Sequence, residues 1–193
     1  MPNSQLLDRS RAVLAVIDVQ PAFVDKLALA DRAPLVARIA WLMRVARAMD
    51  IPMLAMGEDL AGNGPPVAEV LAELPPGCPV HDKRVFGLAG QPDILAALRA
   101  TGRDQPVLVG LETDVCVAQS ALGLLAEGFG VTVVSDATGA PGACRAAGLA
   151  RIAAAGASVL TVKSVYYDWL RDLETLAAIK PRIGAALPPG LTL

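Results

Sequence analysis

Aromatic side chains are scarce in this chain: Phe, Trp and Tyr together make up 4% of its 193 residues. Its core must therefore be filled by Ala, Val and Leu, and a hydrophobic content of 54% is ample for that. With charged residues at 19%, such a composition excludes disorder. An excess of one charge is lacking too. The 17 Lys and Arg and 19 Asp and Glu leave a formal net charge of -2, and the basic face of a nucleic-acid binder is absent. A small or neutral ligand fits that balance better. Long apolar runs are missing as well. The first, AVLAVI (12–17), is stopped by Asp18, too short for a bilayer span and without the cleavage signal of a secretory peptide. Cys78, Cys116 and Cys144 are odd in number and widely spaced, which fits neither a disulfide framework nor a zinc pattern. The chain reads as cytoplasmic and reduced.

What is present is an alternation. Short apolar runs occur at AVLAVI (12–17), PMLAM (52–56), CPVHD (78–82), PVLVG (106–110), VTVVS (131–135) and SVLTV (158–162). Helical-period segments lie between them. Residues 32–49 carry Leu35, Ile39, Leu42, Val45, Ala46 and Met49 on one face. QPDILAALRATG opens on Pro and closes on Gly102, the usual asymmetry of helix start and stop. A third segment, from Val115 to Glu127, ends at Gly128. This order predicts a single domain, 1–193, of three α/β/α layers. Its Rossmann-like, doubly wound sheet has about six mainly parallel strands. AGNGPP (61–66) is expected to be a surface loop at the ligand edge.

In such a sheet the carboxyl ends of the strands share one edge, and ligands bind there. Asp18 ends the first strand, Lys83 ends the third, and Cys116 follows the fourth in GLETDVC. Each alone has an ordinary reading: a strand-end turn former or cap, a solvated charge, a small buried hydrophobe. Together they make a coherent chemistry. A thiol in the first turn of a helix, near an ammonium, is favoured as thiolate, and an Asp can accept its proton. Two positive influences against one negative one predict a lowered thiol pKa. Thr113 or Asp114 is expected to cap the helix, leaving its first amides free to hold an oxyanion.

The motifs IDVQPAF, K-x-x-F-G, G-x-E-T-D-V-C-V and VVSDA resemble those of the isochorismatase-like cysteine hydrolases, which include nicotinamidases, carbamoylsarcosine amidohydrolases and isochorismatases. The resemblance runs from about Ala12 to SVYYDWLRD. It implies a catalytic triad of Asp18, Lys83 and Cys116, a thioester intermediate, and cleavage of a small amide-type or related bond, with vinyl-ether cleavage the other possibility within the family. It also implies a cis peptide between Leu111 and Glu112, with the backbone amides of Glu112 and Cys116 forming the oxyanion hole. Nicotinamidases carry Asp-x-His and a further His after the second strand to bind metal. Here the segment reads MGEDLAGNG, and the one histidine, His81, lies inside the third strand as a packed or edge residue. No metal and no cofactor are therefore expected.

Gln20, Phe23, Glu58 and Thr113 are candidates for the substrate pocket, with Phe23 equally readable as core. Asp136, at the end of the fifth strand, is expected to cap or brace the elbow. Tyr166, Tyr167 and Trp169 read as packing or interface residues, and GACRAAGLARIAAAGA as a closely packed helix. Mean hydropathy of +0.48 predicts a homo-oligomer, with a small-molecule substrate and neither nucleic acid nor membrane as partner. The competing reading is a non-catalytic ligand-binding or signalling module on the same fold. Receiver domains need an acidic pair after the first strand, whereas Val19 follows Asp18; a thiol redox protein needs a resolving cysteine near Cys116.

Overall fold

The computed structural model describes residues 6–193. Among these the chain runs β1 (Ala12–Ile17), α1 (Pro21–Val24), α2 (Leu29–Ala48), β2 (Met53–Glu58), α3 (Leu60–Asn63), α4 (Ala68–Leu71) and β3 (Val80–Lys83). After a 3-10 turn (Leu88–Gly90) come α5 (Pro92–Ala100), β4 (Gln105–Leu111) and a π-helical turn (Thr113–Val117) leading into α6 (Ala118–Ala126). β5 (Thr132–Gly139), α7 (Cys144–Ala154), β6 (Ser158–Leu160), α8 (Val162–Leu170) and α9 (Leu173–Ile183) complete it.

Every strand pairing is parallel, in the order β3-β2-β1-β4-β5-β6. The chain winds outward from β1 to β3, then crosses to β4 and winds the other way. The crevice of such a sheet opens where the winding reverses, beyond the carboxyl ends of β1 and β4. Asp18 and Cys116 follow those two strands directly.

Successive β1 side chains go to opposite faces, the period of an extended chain. Ala12, Leu14 and Val16 join the core under α2, α8 and α9. Val13, Ala15 and Ile17 join the one under α5, α6 and α7. Both faces are covered, so β1 is buried throughout and must be apolar at every position. The helix α2 is buried on most of its circumference, with Leu35, Ile39, Leu42, Met43 and Val45 against the sheet. Burial of each such side chain stabilises the fold by about 1.5–3 kcal/mol. Trp41 and Tyr166 meet in a tilted ring contact across α2 and α8, with centroids 5.1 Å apart, and Trp169 is fully buried. Among the described residues no helix is long and apolar enough to cross a membrane.

Several boundaries move. α2 starts at Leu29 and holds Pro34 within it, so the sequence start at residue 32 is late. β6 stops at Leu160, because Thr161 turns the chain into α8 by accepting from the Ser164 amide at 3.2 Å. β5 runs on to Gly139 after a register shift against β4. Asp136 is therefore inside a strand. It accepts from the Val162 amide at 2.7 Å and braces the start of α8, not the elbow after β4. The small residues of α7 have a local reason: a Cβ on Gly148 would lie 2.7 Å from Asp114 Cα, so the π-helical turn rests directly on this helix.

Gly110 closes the most demanding contact. Its φ is +122°, and a Cβ there would fall 1.9 Å from the carbonyl oxygen of Ile17 on β1. Gly110→Ala is expected to lower stability by more than ~3 kcal/mol. Denaturant unfolding measures this; a loss below ~1 kcal/mol would show that the two strand ends tolerate separation.

Candidate active site

Three strand ends and one elbow build the site. Asp18 leaves β1 with φ +50°, a left-handed conformation that Asp tolerates better than most residues, and its amide donates to Met56 O at 3.1 Å. Lys83 is the last residue of β3 and stands in register with Glu58, the last of β2. The side chains of Asp18 and Lys83 are fully buried. Cys116 sits in the π-helical turn, where the amide of Val117 reaches back to Glu112 O at 3.1 Å. Such turns are rare and recur at functional sites.

The Lys83 ammonium is the centre. Its Nζ lies 3.0 Å from Asp18 Oδ2 and 3.6 Å from Glu58 Oε2. It donates to Val85 O at 2.8 Å and lies 3.8 Å from Cys116 Sγ. The thiol in turn is 3.3 Å from Glu58 Oε2. Neither Asp18 oxygen receives a hydrogen bond of regular geometry, so its ion pair with Lys83 carries the compensation for burial.

Burial pushes the Asp18 carboxyl up to about 6, against the opposing pull of Lys83. Burial also raises the Cys116 thiol well above its ordinary value, helped by Asp18 and opposed by Lys83. The lowered thiol pKa expected from the sequence is therefore wrong in sign. Desolvation outweighs the ammonium, a second carboxylate, Glu58, flanks the sulfur, and the turn before α6 is π-helical instead of a regular helix start. The resting group is a thiol. The Asp18 carboxyl, at about 6, is ionised at neutral pH.

The remaining candidates divide. The Leu111–Glu112 peptide is cis, as the resemblance implies. The Glu112 carboxylate pairs with Lys26 at 2.5 Å, and Lys26 lies over the Phe23 ring at 4.6 Å. Phe23 itself is core. Gln20 is fully buried and works as a clamp: it donates to Glu58 O at 3.0 Å and Gly64 O at 2.6 Å, and accepts from the Glu58 amide at 2.7 Å. Thr113 is fully buried with no partner for its hydroxyl, and neither it nor Asp114 caps a helix by side chain. Glu58, by contrast, reaches the thiol. Its place at a strand end on the same edge as Asp18 was the signal for a closer role than pocket wall.

A cavity of about 150 Å³ opens beside these groups, lined by Glu58, Asp59, Lys83, Arg84, Val85 and Phe86. A larger one, about 470 Å³, lies between α2, the end of β5 and the C-terminal segment, but none of the clustered groups lines it. The smaller cavity is the one that adjoins the cluster.

Asp18, Glu58 and Cys116 present donor atoms within 4.8 Å of one another, a spacing that a metal ion could use. The Lys83 ammonium already stands among them as the positive charge, so the set does not fit a second cation. After β2, where nicotinamidase metal ligands are expected, Asp59 is paired with Arg84 and Leu60 follows.

The crevice at the strand-order reversal thus holds an acid, an ammonium and a thiol on a three-layer α/β/α fold. The isochorismatase domain model matches residues 12–164, and the chain belongs to that family. The probable hydrolase YcaC of Escherichia coli is 29% identical over 90% of this chain and 86% of its own length. Mouse isochorismatase domain-containing protein 2A is 32% identical over 83% and 76%. The structure of Pseudomonas aeruginosa YcaC with hexane-2,5-diol and covalent acrylamide superimposes with a TM-score of 0.81 at 28% identity, covering 93% of this chain and 94% of that one. E. coli YcaC, described as an octameric hydrolase of unknown specificity, gives 0.81 at 27%, over 93% and 91%.

Removing the ammonium tests its place at the centre. Lys83→Ala should slow alkylation of Cys116 at neutral pH by at least about tenfold, because two carboxylates then face the thiol unopposed. It should also cost roughly 3–5 kcal/mol of stability by leaving a buried acid unpaired. Unchanged alkylation would contradict the electrostatic reading.

Proposed function

We propose that this chain is a single-domain cysteine hydrolase of a small amide-type substrate, with Cys116 as nucleophile, Asp18 as proton acceptor and Lys83 as the charge that holds them. The observation that supports this most is the meeting of the three groups, from separate strand ends, around one buried ammonium at 3.0 Å and 3.8 Å.

In the reaction, Asp18 takes the thiol proton as Sγ attacks the carbonyl carbon. The carbonyl electron pair moves to oxygen, which the Glu112 and Cys116 amides would stabilise. When the tetrahedral intermediate collapses, the C–N bond breaks and the nitrogen leaves with the proton held by Asp18. Water, deprotonated by Asp18, then attacks the thioester and releases a carboxylic acid and the free thiol. A base titrating near 6 suits this exchange at neutral pH. Lys83, 3.0 Å from the Asp18 carboxylate, holds that side chain in place. P. aeruginosa YcaC carries covalent acrylamide, which nucleophiles add to at the vinyl carbon, and this agrees with a nucleophilic group on that relative.

The working form is proposed to be a homo-oligomer. E. coli YcaC is octameric, and Leu29 and Leu173 stand 81% and 80% exposed, apolar surface that association would cover.

A hydrolysis screen over simple amides, carbamoyl compounds, nicotinamide and isochorismate tests the proposal. Turnover of an amide-type compound is expected, lost in Cys116→Ala and Asp18→Asn, and unaffected by chelators. Its rate should fall as pH drops through about 6, since protonation removes the base. Turnover surviving in Cys116→Ala would overturn the nucleophile; turnover lost with chelator would overturn the metal-free reading.

A further inference from the structure

Glu58 has one oxygen committed and one not. Oε2 lies 3.3 Å from Cys116 Sγ and 3.6 Å from Lys83 Nζ, while Oε1 has no protein partner among the described residues. The backbone of Glu58 is fixed on both sides: Gln20 clamps its amide and carbonyl, and Asn63 Nδ2 donates to the same carbonyl at 2.9 Å. The side chain is 23% exposed and lines the cavity beside the thiol.

The other charges at that cavity are already matched. Lys83 is held by Asp18 at 3.0 Å, and Arg84 is paired with Asp59 and stands 3.8 Å from Asp82. Glu58 shares the one Lys83 ammonium with Asp18, so the two carboxylates outnumber it, and Glu58 is the partly exposed member of the pair that meets the cavity. Val85 and Phe86, 39% and 54% exposed, supply an apolar rim. A volume of about 150 Å³ equals roughly five waters, room for a compact molecule only.

We propose that Glu58 is the specificity-determining residue of this site, accepting an N–H from the nitrogen on the attacked carbon and excluding substrates that carry a carboxylate. This rests on Cys116 being the nucleophile. Because Oε2 is in hydrogen-bond range of Sγ, a nitrogen bonded to the carbon that Sγ attacks arrives beside the same carboxylate. The substrate N–H replaces the S–H at Glu58 once Asp18 has taken the thiol proton, so the carboxylate keeps a donor at each stage. A carboxylate at that position would instead face Glu58 across the thiol, and like charges at that range repel. The substrate class is thus small, neutral or cationic, and N–H-bearing: a primary amide or a carbamoyl group. Anionic vinyl ethers are disfavoured.

The probes are iodoacetamide and iodoacetate. Sγ displaces iodide at the methylene carbon of each, which places an amide or a carboxylate one bond beyond the attacked carbon. The pair therefore reads the preference of Glu58 for an N–H-bearing neutral group over an anion. Their alkylation rates at Cys116, followed by peptide mass spectrometry in a Cys78→Ser, Cys144→Ser background, are each divided by the rate with free cysteine. The normalised amide-to-carboxylate ratio is expected to exceed one by about tenfold or more, and Glu58→Gln should reduce it by about tenfold. Taking a ratio cancels any change in thiol reactivity common to both reagents, and circular dichroism checks that the variant folds. A native ratio near one, or a ratio that Glu58→Gln leaves unchanged, overturns the proposal. Turnover retained in Cys116→Ala would instead sink the nucleophile on which it rests, so the two failures are separable.

Discussion

A single buried ammonium governs this molecule's carboxyl edge. The four-carbon stem of Lys83 brings Nζ from the edge strand β3 to the reversal point of the sheet, where Asp18, Glu58 and Cys116 converge on it. Without that charge, two carboxylates and a thiol would share a pocket with no counter-ion, an arrangement that burial penalises severely. The other local features serve its geometry. Gln20 locks the end of β2 to the segment after β1, and the Val85 carbonyl takes one ammonium proton. Gly110 lets β1 and β4 approach closely enough for their ends to share one site.

The cluster is not there for stability. Burial raises the Asp18 carboxyl from its ordinary 3.8 to about 6, so the fold favours its protonated form. The stability this group contributes is fully present below its unfolded pKa and is lost as pH rises through about 6. At neutral pH the ionised carboxylate is held at a cost of roughly 3 kcal/mol. Such a cost in a buried crevice agrees with the proposed role of Asp18 as the base.

The sheet was legible in the sequence because both of its faces are covered. All six apolar runs fall on strands, since a doubly covered parallel strand must be apolar at consecutive positions. The ends were less legible, because local side chains set them: Thr161 caps α8 and shortens β6, and α2 begins at Leu29, three residues before the expected start at residue 32. Asp18, Lys83 and Cys116 could be brought together from strand order alone. Glu58 was seen as a pocket residue, but its contact with the thiol depends on the β2–β3 register, which pairs it with Lys83 and which no local pattern encodes. The sign of the thiol shift was misjudged for a related reason. Residue types announce charges, whereas desolvation depends on how completely the neighbouring elements close over them, and here it dominates.

The most direct test concerns the state of the thiol before substrate arrives. In a Cys78→Ser, Cys144→Ser background, the rate of Cys116 alkylation by iodoacetamide is measured from pH 5 to 11. A resting thiol raised by burial and two carboxylates predicts a rate still climbing above the ordinary cysteine midpoint of about 8.5. A plateau reached by about pH 7 would mean a preformed thiolate, and would contradict an account in which Asp18 takes the proton only as the substrate is attacked.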